Sequence, residues 1–191
     1  MPDKKIKLAL FASGTGSNVA RIVDYFRQSS RVECSLIVCN KQGAGVLQIA
    51  EKEGIDTVLL DKETFFRGDA YTGFLQEAGI DWIILAGFLW KIPPALIRAW
   101  PEHIINIHPA LLPAYGGKGM YGRHVHEAVL QNGEKESGIT IHLVDEQYDH
   151  GRTLFQARCP VEPGDTPETL AKRVQALEHT HFPRVIEELV S

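Results

Sequence analysis

The sequence predicts an α/β fold with three layers, in which a doubly wound, mostly parallel sheet lies between helices and gains antiparallel strands near the C-terminus. Short, almost continuously apolar runs such as 6–11 and 32–40 alternate with segments of helical periodicity. Strands that are apolar on both faces are typical of parallel sheets covered by helices on both sides. Residues 137–145 instead alternate apolar and polar side chains, which favours antiparallel or mixed strands there.

The predicted elements of the first 108 residues follow the order strand, turn, helix. An apolar strand at 6–11 ends in a glycine turn, after which apolar residues recur at the spacing of a helix face, at Val19, Ile22, Val23 and Phe26. Further apolar runs predict strands at 32–40, 56–60, 81–87 and 103–108. The segments between them predict helices at 45–54, 70–79 and 93–100. Right-handed crossovers would connect the parallel strands.

The second part of the chain has a different pattern. A glycine-rich loop at 114–123 precedes two predicted strands, 137–145 and 153–161, and a closing helix from 167 to 190. Residues 137–145 carry their apolar side chains at Ile139, Ile141 and Leu143.

Length and composition favour a single globular domain. The chain has 191 residues, of which 44% are hydrophobic and 23% are charged, as in ordinary globular proteins. No repeat or linker divides it. We therefore expect one domain over 1–191, with a Rossmann-like half at 1–108 and the loop, added strands and closing helix at 109–191.

Charge, cysteine content and hydropathy argue against several classes of protein. The net charge of −4 argues against a nucleic-acid groove as the main site. The three cysteines show no C-x-x-C spacing, which fits a reducing compartment. No apolar run approaches the roughly 20 residues that span a bilayer, and the N-terminus shows no cleavage-site signature. We expect a cytoplasmic protein without a membrane or nucleic-acid partner.

The first glycine turn indicates a site for one phosphate. Glycines at 14 and 16 follow a strand, but the dinucleotide fingerprint needs a third glycine where Val19 stands. The segment 16–18 opens a helix, so its backbone N–H groups and the positive end of the helix dipole would face an anion. The alternative is a tight turn in which Ser17 or Asn18 only caps its helix. The sequence leaves both interpretations open.

A polar pair at the end of a predicted strand is the best candidate for chemistry. Asn106 and His108 share one face of the strand at 103–108, and Ile105 and Ile107 share the other. Pro109 ends the strand and places His108 at its carboxyl end, where open α/β sheets bind ligands. An asparagine N–H can stabilise an oxyanion, and a histidine can carry a proton near neutral pH.

A nearby carboxylate would orient the histidine and favour its charged form. Asp145 and Asp149, in the turn-rich segment after a predicted strand, are the two candidates, and the pattern does not choose between them. His124 and His126 invite a zinc interpretation, but histidines at i and i+2 on a helix diverge around its axis. We therefore expect no metal site.

Five motifs together resemble the phosphoribosylglycinamide formyltransferase family, the folate-dependent enzymes of purine synthesis. They occur in the family's order and span almost the whole chain: SGTGSN near the start, LAGF at 85–88, NIHPALLP at 106–113, YDHG at 148–151 and RVQALEH at 173–179. The NIHPALLP segment is shared by several enzymes that use 10-formyltetrahydrofolate. The GSN turn and the RVQ helix narrow the resemblance to the glycinamide ribonucleotide enzymes.

The resemblance implies a formyltransferase fold and a role for each member of the polar cluster. Asn106 would bind the formyl oxygen and the oxyanion of the tetrahedral intermediate. His108 would carry the proton, and Asp149 would hold His108 and raise its pKa. The co-substrate would be 10-formyltetrahydrofolate, with no metal or prosthetic group.

The resemblance also assigns the two substrates to separate segments. Gly16, Ser17 and Asn18 would bind the phosphate of glycinamide ribonucleotide, and Gln175 and Glu178 would contact its ribose and glycinamide end. The folate would contact one segment at Leu89, Trp90, Lys91 and Ile92 and another at Val144 and Asp145. It would also contact Arg67, and Asn106 would lie at its reacting end. Trp90 and Lys91 stand where the family commonly has arginine and a branched aliphatic residue.

Four rival functions fit part of this pattern. Formyltetrahydrofolate hydrolase, methionyl-tRNA formyltransferase and sugar-amine formyltransferases share the formyl-folate site. The hydrolase is expected to have an extra N-terminal domain and the tRNA enzyme an extra C-terminal one, for which this chain has no room. A folate- or nucleotide-binding module without turnover is the fourth alternative.

We expect the protein to be a monomer or weak homodimer.

Overall fold

The computed structural model describes residues 4–67 and 69–190. These residues form seven strands, β1 (Ile6–Ala12), β2 (Val32–Cys39), β3 (Asp56–Leu59), β4 (Trp82–Leu85), β5 (Ile104–His108), β6 (Glu136–Leu143) and β7 (Thr153–Pro160). They also form seven helices, α1 (Ser17–Phe26), α2 (Gly45–Glu53), α3 (Lys62–Arg67), α4 (Ala70–Glu77), α5 (Pro94–Ala99), α6 (Arg123–Gln131) and α7 (Pro167–Val190). The predicted fold class is confirmed.

All seven strands belong to one sheet with the order β3-β2-β1-β4-β5-β6-β7. The pairs from β3 to β5 are parallel, and β5–β6 and β6–β7 are antiparallel. The strand order reverses between β1 and β4, and ligands of open α/β sheets bind at such a switch point. The loops after these two strands are joined, because the Leu89 N–H donates to Ser13 Oγ at 2.9 Å.

Helices cover both faces of the sheet. On one face, apolar residues of α1, α2, α6 and α7 pack against Leu10, Ile105 and Ile141. On the other face, residues of α3, α4 and α5 pack against Phe11, Ile83 and Ile104. Strands β1 and β4 are therefore buried on both sides, as their continuous apolar runs predict.

The sequence pattern missed α3. This helix has six residues, of which Phe65 is buried and Phe66 is half-exposed. One and a half turns are too short to show the repeating apolar positions from which helices are predicted.

Gly138 keeps β6 and β7 close together. A methyl group added at this position would lie 2.0 Å from the carbonyl oxygen of Ala157 and 2.8 Å from Leu111 Cδ2. A carbonyl oxygen of a paired strand cannot move away without breaking the ladder. The register therefore requires glycine here.

We expect Gly138→Ala to lower the free energy of unfolding by about 1–3 kcal/mol, because the added methyl group overpacks a strand pair. Gly73→Ala is the matched control, since Gly73 lies in α4 with no neighbouring atom within 4 Å of the added carbon. It should raise the free energy by about 0.5–1 kcal/mol through helix propensity. Urea unfolding measures both, and equal stabilities of the two variants would contradict the prediction.

Candidate active site

The polar pair of β5 faces a second polar pair on β6. Asn106 lies directly opposite His142, and His108 lies directly opposite Thr140. Residues opposite each other in an antiparallel pair share a face of the sheet. The apolar residues Ile105 and Ile107 point into the other side. The strand pairing therefore gathers four polar side chains on one face.

Asn106 and His142 are in direct contact. Asn106 Nδ2 lies 3.0 Å from His142 Nε2, and His142 Nδ1 lies 2.8 Å from the Leu143 carbonyl oxygen. Because the carbonyl only accepts, Nδ1 carries the proton and Nε2 accepts from the amide. One N–H of the half-buried Asn106 amide remains to donate to another group.

His142 was not singled out from the sequence. The signal was present in the alternation of β6, since Thr140 and His142 point away from the face of Ile139, Ile141 and Leu143. A single strand cannot show what its polar face meets. Only the pairing with β5 gives His142 its partner.

His108 is held by a backbone carbonyl and faces a carboxylate. Its Nε2 donates to the Tyr115 carbonyl oxygen at 2.7 Å, and its Nδ1 lies 3.6 Å from Asp149 Oδ1. The side chain is only 4% exposed. Nδ1 is therefore the ring nitrogen at which a proton can be exchanged with the site.

Asp149 lies between two histidines. Its Oδ1 is 3.7 Å from His142 Nε2 as well as 3.6 Å from His108 Nδ1, and its Oδ2 accepts from the Gly117 N–H at 3.0 Å. Asp145 instead accepts from His150 Nδ1 at 2.7 Å. The structure thus brings Asp149 to His108, as the resemblance implied, although the residue pattern left both carboxylates open.

Asp149 acts to raise the pKa of His108, as expected, but it does not decide the net shift. Burial lowers the pKa of His108, and the Asp149 charge and the Tyr115 carbonyl oppose that effect without cancelling it. Burial acts to raise the pKa of Asp149, but contacts with His142, His108 and Gly117 outweigh it, and the pKa lies below the ordinary value. Desolvation of the imidazolium is the stronger effect at His108.

An open cleft lies beside this cluster. Asn106, His142 and Asp149 line its polar end. The predicted folate residues that line it are Trp90, Lys91, Ile92, Val144 and Asp145. His108 lies behind this surface and is not part of the lining.

Two predicted folate residues lie outside the lining. Leu89 is half-exposed, and only its backbone N–H is fixed, by Ser13. Arg67 is exposed and pairs with Glu63 on its own helix. Phe88, which was not predicted, and Tyr148 also line the cleft.

Aromatic packing shapes the outer wall of the cleft. The Trp90 ring lies 5.6 Å from the Phe65 ring and 5.5 Å from the Phe66 ring of α3. Lys91 Nζ lies 5.6 Å from the centroid of the Tyr148 ring. Helix α3 therefore supports this wall, and the cleft has a cation at its side.

In the glycine turn after β1, the backbone at Gly16 lies very close to side chains of α2. Gly16 has φ 78°, and a methyl group there would lie 2.8 Å from Val46 and Ile49 of α2. In the described part of the chain, no side chain caps the start of α1. The alternative in which Ser17 or Asn18 only caps its helix is therefore not what the structure shows.

The C-terminal helix completes this turn. Gln175 Nε2 donates to Ser17 Oγ at 3.1 Å, and Asn18 Nδ2 donates to Glu178 Oε2 at 2.8 Å. Burial raises the pKa of Glu178, and the Asn18 amide partly opposes this. Asn18 Oδ1 is buried without a partner among the described residues. Four of the five residues that the resemblance assigned to the ribonucleotide are thus joined by hydrogen bonds between α1 and α7.

The structure also bears on two features that the sequence argued against, a metal site and a membrane-spanning helix. Within 4–67 and 69–190, no group of three or more histidine, cysteine or acidic side chains could hold a metal ion. His124 is exposed, and His126 of the same helix is buried with no partner for its Nδ1 among these residues. No helix in the described part of the chain is long and apolar enough to cross a membrane.

Buried histidines predict a loss of stability in mild acid. Burial lowers the pKa values of His108 and His126, whereas the value in an unfolded chain is about 6.5. As the pH falls below about 6.5, the unfolded state binds protons that the folded state refuses, so the free energy of unfolding falls. His126→Gln should flatten this slope between about pH 7.5 and pH 5.5, as measured by urea unfolding. His124→Gln, on the exposed side of α6, is the control, and an unchanged slope for His126→Gln would contradict the prediction.

Comparison with known proteins agrees with this geometry. Residues 6–186 match the family model described as formyl transferase. The chain is 44% identical to phosphoribosylglycinamide formyltransferase, chloroplastic, of Arabidopsis thaliana over 97% of this chain and 65% of that protein. The chain therefore spans less than two thirds of that relative's length.

Solved bacterial structures have the same fold. Glycinamide ribonucleotide transformylase 1 from Symbiobacterium toebii superposes with a TM-score of 0.89 at 30% identity, over 97% of this chain and 88% of that one. The enzyme of the same name from Geobacillus kaustophilus gives 0.88 at 34% identity, over 98% and 100% of the two chains.

Proposed function

Because the chain belongs to the formyl transferase family, we propose that it transfers the formyl group of 10-formyltetrahydrofolate to the amine of glycinamide ribonucleotide in purine biosynthesis. The observation that carries the proposal is the presence of two sites around one polar cluster. A cleft ends at Asn106, His142 and Asp149, and a phosphate-type turn at Gly16–Asn18 is completed by Gln175 and Glu178.

The cleft suits a folate. Its aromatic wall at Phe88 and Trp90 gives apolar contact area, and its polar end presents donors and acceptors from Asn106 and Asp145. The Lys91 ammonium at the side suits the carboxylates of the folate tail. The formyl group would lie at the Asn106 end.

The turn after β1 suits the ribonucleotide. The first N–H groups of a helix have no partner within the helix, and the helix dipole favours an anion there. Ser17 and Asn18 open α1, so their backbone can bind the phosphate. Gln175 and Glu178 then face the rest of the nucleotide.

Direct attack accounts for the chemistry. The neutral amine forms a C–N bond to the formyl carbon, and the carbonyl π electrons move to the oxygen. The free N–H of Asn106 stabilises this oxyanion. The new bond brings a proton that the nitrogen must lose, and the folate nitrogen gains one as its bond to carbon breaks. His108 Nδ1 and Asp149 are placed to move these protons.

Other expectations remain predictions. We predict that no metal or prosthetic group takes part, and that the protein acts in the cytoplasm as a monomer or weak homodimer without nucleic acid.

An acceptor assay tests the function. The purified chain, given 10-formyltetrahydrofolate, should release tetrahydrofolate with glycinamide ribonucleotide and not with methionyl-tRNA, a sugar amine or water. Turnover with a different acceptor would reassign the enzyme within the family. Folate binding without any turnover would identify a binding module and overturn the proposal.

Asn106→Ala tests the mechanism. Loss of one preorganised oxyanion donor should lower kcat by about 10²–10³-fold, with a smaller change in KM for either substrate. His108→Asn should lower kcat as well, because the proton carrier is lost. His103→Asn is the control, since His103 is an exposed histidine at the start of the same strand region. Near-normal kcat in folded Asn106→Ala and His108→Asn would contradict the mechanism.

A further inference from the structure

The turn formed by residues 110–117 connects strands β6 and β7, at the edge of the sheet, to His108 and Asp149, the two proposed acid–base residues. It follows β5 directly, and it lies over β6 near Gly138 and Thr140. Its first half contacts β6 and β7. Its second half contacts His108 and Asp149.

Two side chains hold the first half of the turn. Gln156 of β7 donates through Nε2 to the Leu112 carbonyl oxygen at 2.9 Å and to Thr140 Oγ1 at 2.9 Å. Thr140 Oγ1 accepts from the Leu112 N–H at 3.0 Å and donates to the Ala110 carbonyl oxygen at 2.7 Å.

These contacts fix every donor and acceptor involved. Both hydrogens of Gln156 Nε2 are used, and Thr140 Oγ1 uses its hydrogen and two lone pairs. The amide orientation of Gln156 is determined by chemistry, because a carbonyl oxygen only accepts. Fully satisfied networks of this kind rigidify the groups they join.

The second half of the turn holds the acid–base pair. The Tyr115 carbonyl accepts from His108 Nε2 at 2.7 Å, and the Gly117 N–H donates to Asp149 Oδ2 at 3.0 Å. Leu112 also packs against Gly116, where an added methyl group would lie 2.6 Å from Leu112 Cδ2 and 3.3 Å from Asp149 Cβ. A shift at Leu112 would therefore move the groups that orient both His108 and Asp149.

We infer that Gln156, with Thr140, is a positioning residue that sets the geometry of His108 and Asp149 through the 110–117 turn. The inference rests on the proposed function for its kinetic part. Within the part of the chain that the structure describes, Gln156 is not part of the cleft lining and makes no hydrogen bond to His108 or Asp149. Its effect on the reaction is transmitted by the backbone.

The kinetic test uses variants of the two anchors. Gln156→Leu and Thr140→Val remove the hydrogen bonds and keep the approximate volume, and Thr140→Ser restores the hydroxyl. We expect kcat to fall about tenfold or more in the first two, since small misplacements of reacting groups are costly, with each KM changed less than about threefold and with recovery in Thr140→Ser. Arg158→Gln is the matched control, because Arg158 lies two residues along the same strand and pairs with the exposed Glu136.

A second measurement does not depend on turnover. The groups around His108 are Asp149 of the β6–β7 turn, His142 of β6, His126 of α6 and the Tyr115 carbonyl. The turn carries the Tyr115 carbonyl and holds Asp149 through Gly117, so loosening it should shift the NMR titration of His108 in Gln156→Leu and not in Arg158→Gln. His108→Gln assigns the resonance.

The two readouts separate the two proposals. If the wild type transfers no formyl group, the proposed function fails, and the His108 titration still decides the positioning role. The inference is overturned if folded Gln156→Leu keeps wild-type kcat and an unchanged His108 titration. It is also overturned if Arg158→Gln lowers kcat as much as Gln156→Leu does. The same holds if the loss of activity in Gln156→Leu only follows a smaller folded fraction, as measured by urea unfolding.

Discussion

The antiparallel pairing of β5 with β6 is the constraint on which the site depends. The five strands from β3 to β5 are parallel, and the chain then passes through a loop and α6 before β6 returns in the opposite direction. This return places His142 opposite Asn106 and Thr140 opposite His108 on one face. A register slip of one residue would turn both polar residues of β6 into the apolar core. The core side chains of Ile139, Ile141 and Leu143 therefore also fix the active site.

Burial gives this cluster its electrostatic character. His108 has lost most of its hydration. Desolvation of its charged form lowers its pKa more than the Asp149 charge raises it. Asp149 keeps a low pKa because two histidines and one backbone N–H surround its carboxylate. A neutral imidazole beside an ionised carboxylate can accept a proton at Nδ1 and form an ion pair without moving its ring. That arrangement suits a group that must take up a proton during the reaction and release it afterwards.

The sequence predicted what local patterns encode. The periodic elements, the Asn106–His108 pair and the anion turn at Gly16 each follow from short-range spacing. Contacts between distant segments could not be derived this way. Glu178 accepts a hydrogen bond from Asn18 across 160 positions, and only the family resemblance assigned both residues to the same substrate. His142 and Gln156 acquire their roles only when strands pair, and α3 is too short for its period to be visible. The net lowering of the His108 pKa could not be predicted for a related reason, since burial is a property of the folded chain.

The order of the strands also separates the two proposed binding sites. The phosphate-type turn follows β1 and is completed by α7, whereas the cleft is lined by residues that follow β4 and β6. Under the proposed function, changes in the turn after β1 or in α7 would therefore alter acceptor binding without moving the wall at Trp90. Under the proposed function, changes around Asn106 and His108 would alter the reaction with any acceptor, because both residues lie on β5 and not in the turn or the helix that would hold the acceptor.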